Sequence, residues 1–126
     1  MNPLTITIPI TPVAWKRPAQ NGKRRYDTQV DLKTQYALYL KRQYKQPPLI
    51  GPIQLDITFY MPMPKTKLKK LASQYHYSRP DTDNLEKFLM DCLTTICFKD
   101  DRQVAVTFKR KIYDPNPRTV FTISQL

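Results

Sequence analysis

The chain has 126 residues, with 21 Lys and Arg against 10 Asp and Glu, a formal charge of +11 and an isoelectric point near 9.8. That length supports one domain, residues 1–126, with a modest core, and that charge points to a polyanionic partner, nucleic acid first. No apolar run approaches a membrane span, no signal-peptide pattern is present, and two cysteines without metal-type spacing argue against a disulfide framework, so a cytoplasmic protein is expected.

Residues Leu4-Thr5-Ile6-Thr7-Ile8-Pro9-Ile10 alternate apolar and polar side chains and predict a first strand with one buried face. Pro12 to Arg25 then reads as a loop carrying Lys16, Arg17, Lys23, Arg24 and Arg25, with Trp15 and Tyr26 among them. Basic residues interleaved with aromatics suit phosphate contact and packing on bases or sugars; the alternative is a solvated loop whose Trp15 plugs the core. From Asp27 or Asp31 to about Tyr44, the spacing of Val30, Thr34, Ala37, Leu40 and Tyr44 predicts a helix, stopped by Pro47-Pro48. Ile53, Leu55, Ile57, Phe59 and Met61 alternate with polar residues as a half-buried second strand.

A long segment follows, containing Lys65, Lys67, Lys69 and Lys70 and then Tyr75-His76-Tyr77-Ser78-Arg79. Its lysines, His76 and Arg79 suit a grip on nucleic acid, against the alternative of a solvated excursion; His76 is not expected on magnesium, which prefers oxygen donors. Leu85, Phe88, Leu89, Cys92, Leu93 and Ile96 then recur at helical spacing, predicting an amphipathic helix from about Asn84 to about Ile96. Asp83 and Glu86 give it a capping-box-like start, and Lys87 and Asp91 share its polar face at i, i+4. Val104, Val106 and Phe108 open a third strand, Asp114-Pro115-Asn116-Pro117 makes a turn, and Thr119 to Ile123 forms a fourth strand expected to pair with the third as an antiparallel hairpin. The order β-α-β-α-β-β gives an α+β fold, a four-stranded mixed sheet with two main helices on its apolar face.

A basic chain has gathered most of its acids into Asp81, Asp83, Glu86, Asp91, Asp100 and Asp101. Taken singly these have bland explanations: a helix cap, a partner for Lys87, a turn. Asp81, which a cap does not need, and a second acidic pair beyond the helix are left over. The ordered string Pro80-Asp81-x-Asp83-Asn84-Leu85-x-Lys87, Asp91-x-Leu93, Phe98-x-Asp100-Asp101-x-Gln103-Val104 resembles the RusA-type endodeoxyribonucleases, which resolve four-way (Holliday) DNA junctions and are common in phages and prophages. Pro12-Val13-Ala14-Trp15-Lys16-Arg17-Pro18 is similar to the family's basic, Pro-rich loop, and Cys97 stands where family members often carry Gly. The resemblance implies that Asp81, Asp83 and Asp101 hold magnesium, with manganese able to substitute, that Asp100 and Asn84 support them, and that Lys87 is the basic catalytic residue. It implies junction resolution by paired nicks in recombination or repair.

Phosphodiester hydrolysis needs charge neutralised in the transition state and hydroxide generated near neutral pH, work suited to hard cations on carboxylates. A lysine adds a compact positive donor. A helix rises about 1.5 Å per residue, so Asp83 at its start and Asp101 beyond its end should lie about 20 Å apart. Unless the following loop doubles back along the helix, Asp101 must serve a second subunit, and a two-fold homodimer would hold two composite sites. The rivals are a less selective branched-DNA or flap nuclease and a noncatalytic basic nucleic-acid-binding module.

Overall fold

A computed structural model describes residues 3–64 and 73–126. The chain runs as β1 (Leu4–Ile8), β2 (Ala19–Asn21), β3 (Arg24–Tyr26), α1 (Val30–Gln43), β4 (Ile53–Met61), α2 (Thr82–Leu93), a 3-10 turn (Asp101–Gln103), β5 (Val104–Tyr113) and β6 (Arg118–Gln125). β1, β6, β4 and β5 lie in that order in one sheet, with only β4 and β5 parallel, and β2 pairs β3 alone. This is the expected α+β fold with a small basic hairpin added.

The core sits between one face of the mixed sheet and the two helices. Ile53, Leu55, Ile57, Phe59 and Met61 all point inward from β4, joined by Phe121 and Ile123 from adjacent β6 and Ile6 and Ile8 from β1 beyond it. α1 contributes Tyr36 and Leu40, and α2 contributes Leu85, Phe88, Leu89, Cys92 and Leu93, the stripe its spacing predicts. Tyr36 and Phe88 meet edge to face at 5.1 Å between ring centroids, joining the helices. Burial pushes the Cys92 and Cys97 thiols up to about 12, so both are inert small hydrophobes at neutral pH.

Three expectations are corrected. The last two strands do not form a hairpin: residues 114–117 step across the end of β4, where the Asp114 N–H donates to the Met61 carbonyl at 3.0 Å. β4, α2 and β5 form a parallel crossover that seats β5 on one edge of β4, leaving the other edge to β6. The side-chain phase of β5 is also reversed. Its register aligns Lys109 with Ile57 and Lys111 with Phe59, so both lysines lie on the helix-facing side, while Val106 and Phe108 share the open face with Gln54 and Asp56. Phe108 is accordingly 53% exposed.

Third, α2 starts and ends earlier than its apolar spacing suggests. Thr94 leaves the helix in an extended conformation with its hydroxyl donating to the Met90 carbonyl at 2.8 Å, and Thr95 takes φ +77. Asp81, not Asp83, occupies the N-cap position, and its side chain makes no capping bond. Asp91 lies 3.7 Å from Lys33 of α1 rather than pairing with Lys87.

Phe88 is 1% exposed at the centre of the helix–helix contact. Phe88→Ala is expected to lower unfolding free energy by about 3–5 kcal/mol, measured by urea denaturation; a loss under about 1 kcal/mol would contradict this packing.

Candidate active site

The acidic stretch is positioned by the two helix-facing lysines of β5. Lys109 Nζ donates to Asp83 Oδ1 and to Glu86 Oε2, each at 2.5 Å, bridging carboxylates one turn apart on α2. Lys111 Nζ donates to the carbonyls of Ser78 and Pro80, both at 2.7 Å, and so holds the segment leading into the helix. Burial works against the charge on Lys109, but the bonds to Asp83 and Glu86 outweigh it and raise its pKa. The bond from Lys109 holds Asp83 below the ordinary carboxylate value.

Two open depressions flank the start of α2. One, of about 410 Å³, is lined by Asp83, Glu86, Lys87, Met90, Asp101 and Lys109. The other, of about 720 Å³, is lined by His76 to Arg79, Asp81, Thr82 and Lys111. Asp81 and Asp83 thus face different depressions, as expected for positions two residues apart on a turn advancing about 100° per residue. His76 sits partly buried against Tyr113, its pKa lowered by burial and by the charge of Lys111; Arg79 is exposed.

The second acidic pair divides its work. Asp100 caps the 3-10 turn, its carboxylate accepting from the Arg102 backbone N–H at 2.9 Å and from the Arg102 guanidinium at 3.0 Å. Arg102 accordingly lowers its pKa. Gln103 completes the capping box and donates from Nε2 to the carbonyls of Leu49 and Gly51, fastening this block to the loop before β4. Asp101 is exposed toward the depression that Asp83 also lines.

The chain after α2 therefore returns along the flank of the helix, so the length of α2 alone does not force Asp101 onto a second subunit, yet the carboxylates are not drawn into one cluster. From Asp83 to Met90 the helix rises about 10 Å, and from Lys109 back to Val104, just past Asp101, the strand covers about 17 Å. Among the described residues no three His, Cys, Asp or Glu side chains are grouped closely enough to hold one ion. In chemical type the donors fit magnesium, since they are carboxylate oxygens, and Asp83 with Glu86 already embraces one cation, the Lys109 ammonium. Among the described residues a single chain places no third carboxylate beside them.

The basic loop before α1 folds into the β2–β3 hairpin. Gly22, with φ +63, takes the first of two turn positions between the paired Asn21 and Arg24, where a II′ turn favours Gly. Lys16, Arg17, Lys23, Arg24, Arg25 and Tyr26 are all exposed. The hairpin's base is fixed by Gln29, only 3% exposed, whose side-chain amide donates to the Ala14 carbonyl at 2.8 Å and accepts from the Lys16 N–H at 3.0 Å. On the other side the Trp15 N–H donates to the Asn84 carbonyl of α2 at 2.9 Å. The Lys87 ammonium rests over the Trp15 ring, 3.6 Å from its centroid. Lys65, Lys67, Lys69 and Lys70 lie outside the described residues.

With this geometry stands a match of residues 9–124 to the family model described as endodeoxyribonuclease RusA. The chain belongs to the RusA endodeoxyribonuclease family. It is 31% identical over an alignment of 140 residues to "Uncharacterized protein YqaN" of Bacillus subtilis (strain 168), covering 100% of this chain and 99% of that protein. It is also 34% identical over 76 residues to "Crossover junction endodeoxyribonuclease rusA" of Lactococcus phage r1t, covering 60% of this chain and 56% of the phage protein. Among the described residues of this RusA-type chain, no helix is long and apolar enough to cross a membrane.

Glu86, Lys109 and Lys111 were not expected at the site. The signal for the two lysines was their own alternation, Lys109-x-Lys111, which places both on one face of a strand whose apolar residues suggested the other phase.

Asp27 ties the hairpin's base to α1, accepting from the Gln29 N–H at 2.8 Å and from Lys33 Nζ at 2.6 Å. The Lys33 and Gln29 bonds lower its pKa below 3.8, so its contribution is full above that value and disappears as pH falls through the lower folded value. Asp27→Asn is expected to cost about 0.5–1 kcal/mol at pH 7 and to remove that part of the acid-induced loss, read from urea midpoints at pH 2.5 and pH 7. Equal losses at both pH values would contradict it.

Proposed function

We propose that this RusA-family chain is a magnesium-dependent, junction-selective endodeoxyribonuclease that acts as a two-fold dimer and resolves four-way DNA junctions by paired nicks. The observation that carries the reading is one open depression lined by Asp83, Glu86, Lys87 and Asp101, whose carboxylates are not grouped closely enough among the described residues to hold an ion within one chain, in a molecule of charge +11. An exposed acidic depression on so basic a molecule suits a metal ion brought to a phosphate. The family membership, and the phage relative named as a crossover junction endodeoxyribonuclease, support the four-way junction as substrate.

Asp83 would hold the ion from α2 with Asp101 of the second chain, and Asp81, which lines the adjoining depression at the helix N-cap, would complete the set only with its side chain turned toward Asp83. A bound magnesium ion supplies Lewis-acid charge and a water acidified toward neutral pH. Lys87 stabilises negative charge developing on the phosphate. Lys109 keeps Asp83 ionised and holds Glu86 in place, a role that a divalent cation would share. Two copies packed with their α2 helices antiparallel would set each Asp101 beside the partner's Asp83, giving two sites for two symmetric strands. The exposed basic hairpin tracks phosphates on the junction arms.

Purified protein on a synthetic four-way junction is expected to produce paired nicks with magnesium and none with EDTA, and Asp83→Asn to slow nicking by about 100-fold or more. Metal-independent cleavage, or an Asp83→Asn variant of undiminished rate, would contradict the reading. Mixing Asp83→Asn chains with Asp101→Asn chains is expected to restore one intact site per heterodimer and hence single nicks; no recovery would sink the shared site. Junction affinity, measured without metal, should fall at least about tenfold between 50 and 200 mM salt, whereas a salt-independent constant would rule out a phosphate-tracking interface.

A further inference from the structure

Lys87 has acidic neighbours on its own helix, yet among the described residues no carboxylate lies within 4.0 Å of its ammonium. Glu86 and Asp83 are taken by Lys109, and Asp91 turns to Lys33. The ammonium lies instead on the face of Trp15, at 3.6 Å. An aromatic face fixes a cation without cancelling its charge, which a carboxylate partner would do. Such a contact at an exposed site biases a flexible side chain by about two- to fivefold.

The ring is itself held. Trp15 lies between two residues bonded to the buried Gln29 amide, and its own N–H is bonded to Asn84, one turn before Lys87. Its half-buried indole packs against the core cluster. The segment holding it is the stalk of the basic hairpin, so the hairpin and α2 are joined at the point where Lys87 is placed.

We propose that Trp15 is a positioning residue for Lys87: its indole face presents the ammonium at the acidic depression without pairing it to a carboxylate, and ties that placement to the stalk of the basic hairpin. This rests on the reading of Lys87 as the lysine that acts at the phosphate. A Trp15 that merely fills the core would be replaceable by any apolar side chain of similar bulk. A positioning Trp15 needs a π face and acts only while Lys87 is present.

The test is single-turnover nicking of a four-way junction in magnesium, with junction binding measured separately in its absence. Trp15→Leu is expected to slow nicking about three- to tenfold with binding changed less than about twofold, and Trp15→Phe to retain at least about half the rate. In a Lys87→Met background, Trp15→Leu should add no further loss. Full activity in Trp15→Leu, or equal losses with and without Lys87, would overturn the proposal. If Trp15→Leu does not fold by circular dichroism, Trp15→Met takes its place with the same expectations. Should the wild type fail to nick at all, the functional reading falls on its own account, and the pairing is judged by fluorescence. Trp15 is the single tryptophan of the chain, so its emission should change in Lys87→Met and not in Lys41→Met. An unchanged Lys87→Met spectrum overturns the contact.

Discussion

The site depends on where two lysines of an edge strand point. Lys109 and Lys111 emerge on the helix-facing side of β5, next to inward-facing Ile57 and Phe59 of β4, where a side chain of opposite phase would reach only the open face. From there one grips Asp83 and Glu86 and the other grips the Ser78 and Pro80 carbonyls. A run of like charges at the start of a helix would otherwise repel itself and splay. The Lys109 ammonium beneath it lowers the pKa of Asp83 and leaves that carboxylate exposed, while the same ammonium holds the more covered Glu86.

The wider electrostatics follow the same pattern. Positive charge is spread over the hairpin, the stalk and β5, while negative charge is concentrated along one flank of α2. Such a molecule attracts a polyanion over most of its surface and repels it at one place. A divalent cation placed there would turn that local repulsion into attachment of a phosphate to the carboxylates. The hairpin stalk meets α2 through Trp15, so the exposed basic hairpin and the acidic flank of α2 are joined at one contact.

Much of this was legible in the sequence because burial imposes a period. β4 alternates without exception and the α2 stripe runs unbroken from Leu85 to Leu93, so that strand, that helix and their share of the core followed directly, whereas α1 turns Tyr36 and Leu40 inward and leaves the expected Val30 and Thr34 exposed. The hairpin was not legible: β2 and β3 have three residues each, with Ala19 alone partly covered, and a pattern without a buried face has no period to read. β5 misled for a different reason. As an edge strand it buries none of its side chains fully, so Val106, Phe108 and Ile112 stay on the open face without the penalty that would have fixed their phase in a central strand. The missing β5–β6 pairing follows from the parallel crossover through α2. At the site, spacing identified the acids but not their division of labour; Asp100 is bound into its turn by Arg102 and Gln103, while Asp101 opens to the depression.

The central claim is that carboxylates kept apart within one chain meet across two. Anomalous diffraction from crystals grown with manganese tests it most directly. The account predicts two symmetry-related peaks per dimer, each between Asp83 of one protomer and Asp101 of its partner. An ion bound wholly by the residues of one protomer, or a dimer whose Asp83 and Asp101 face away from each other, would contradict it.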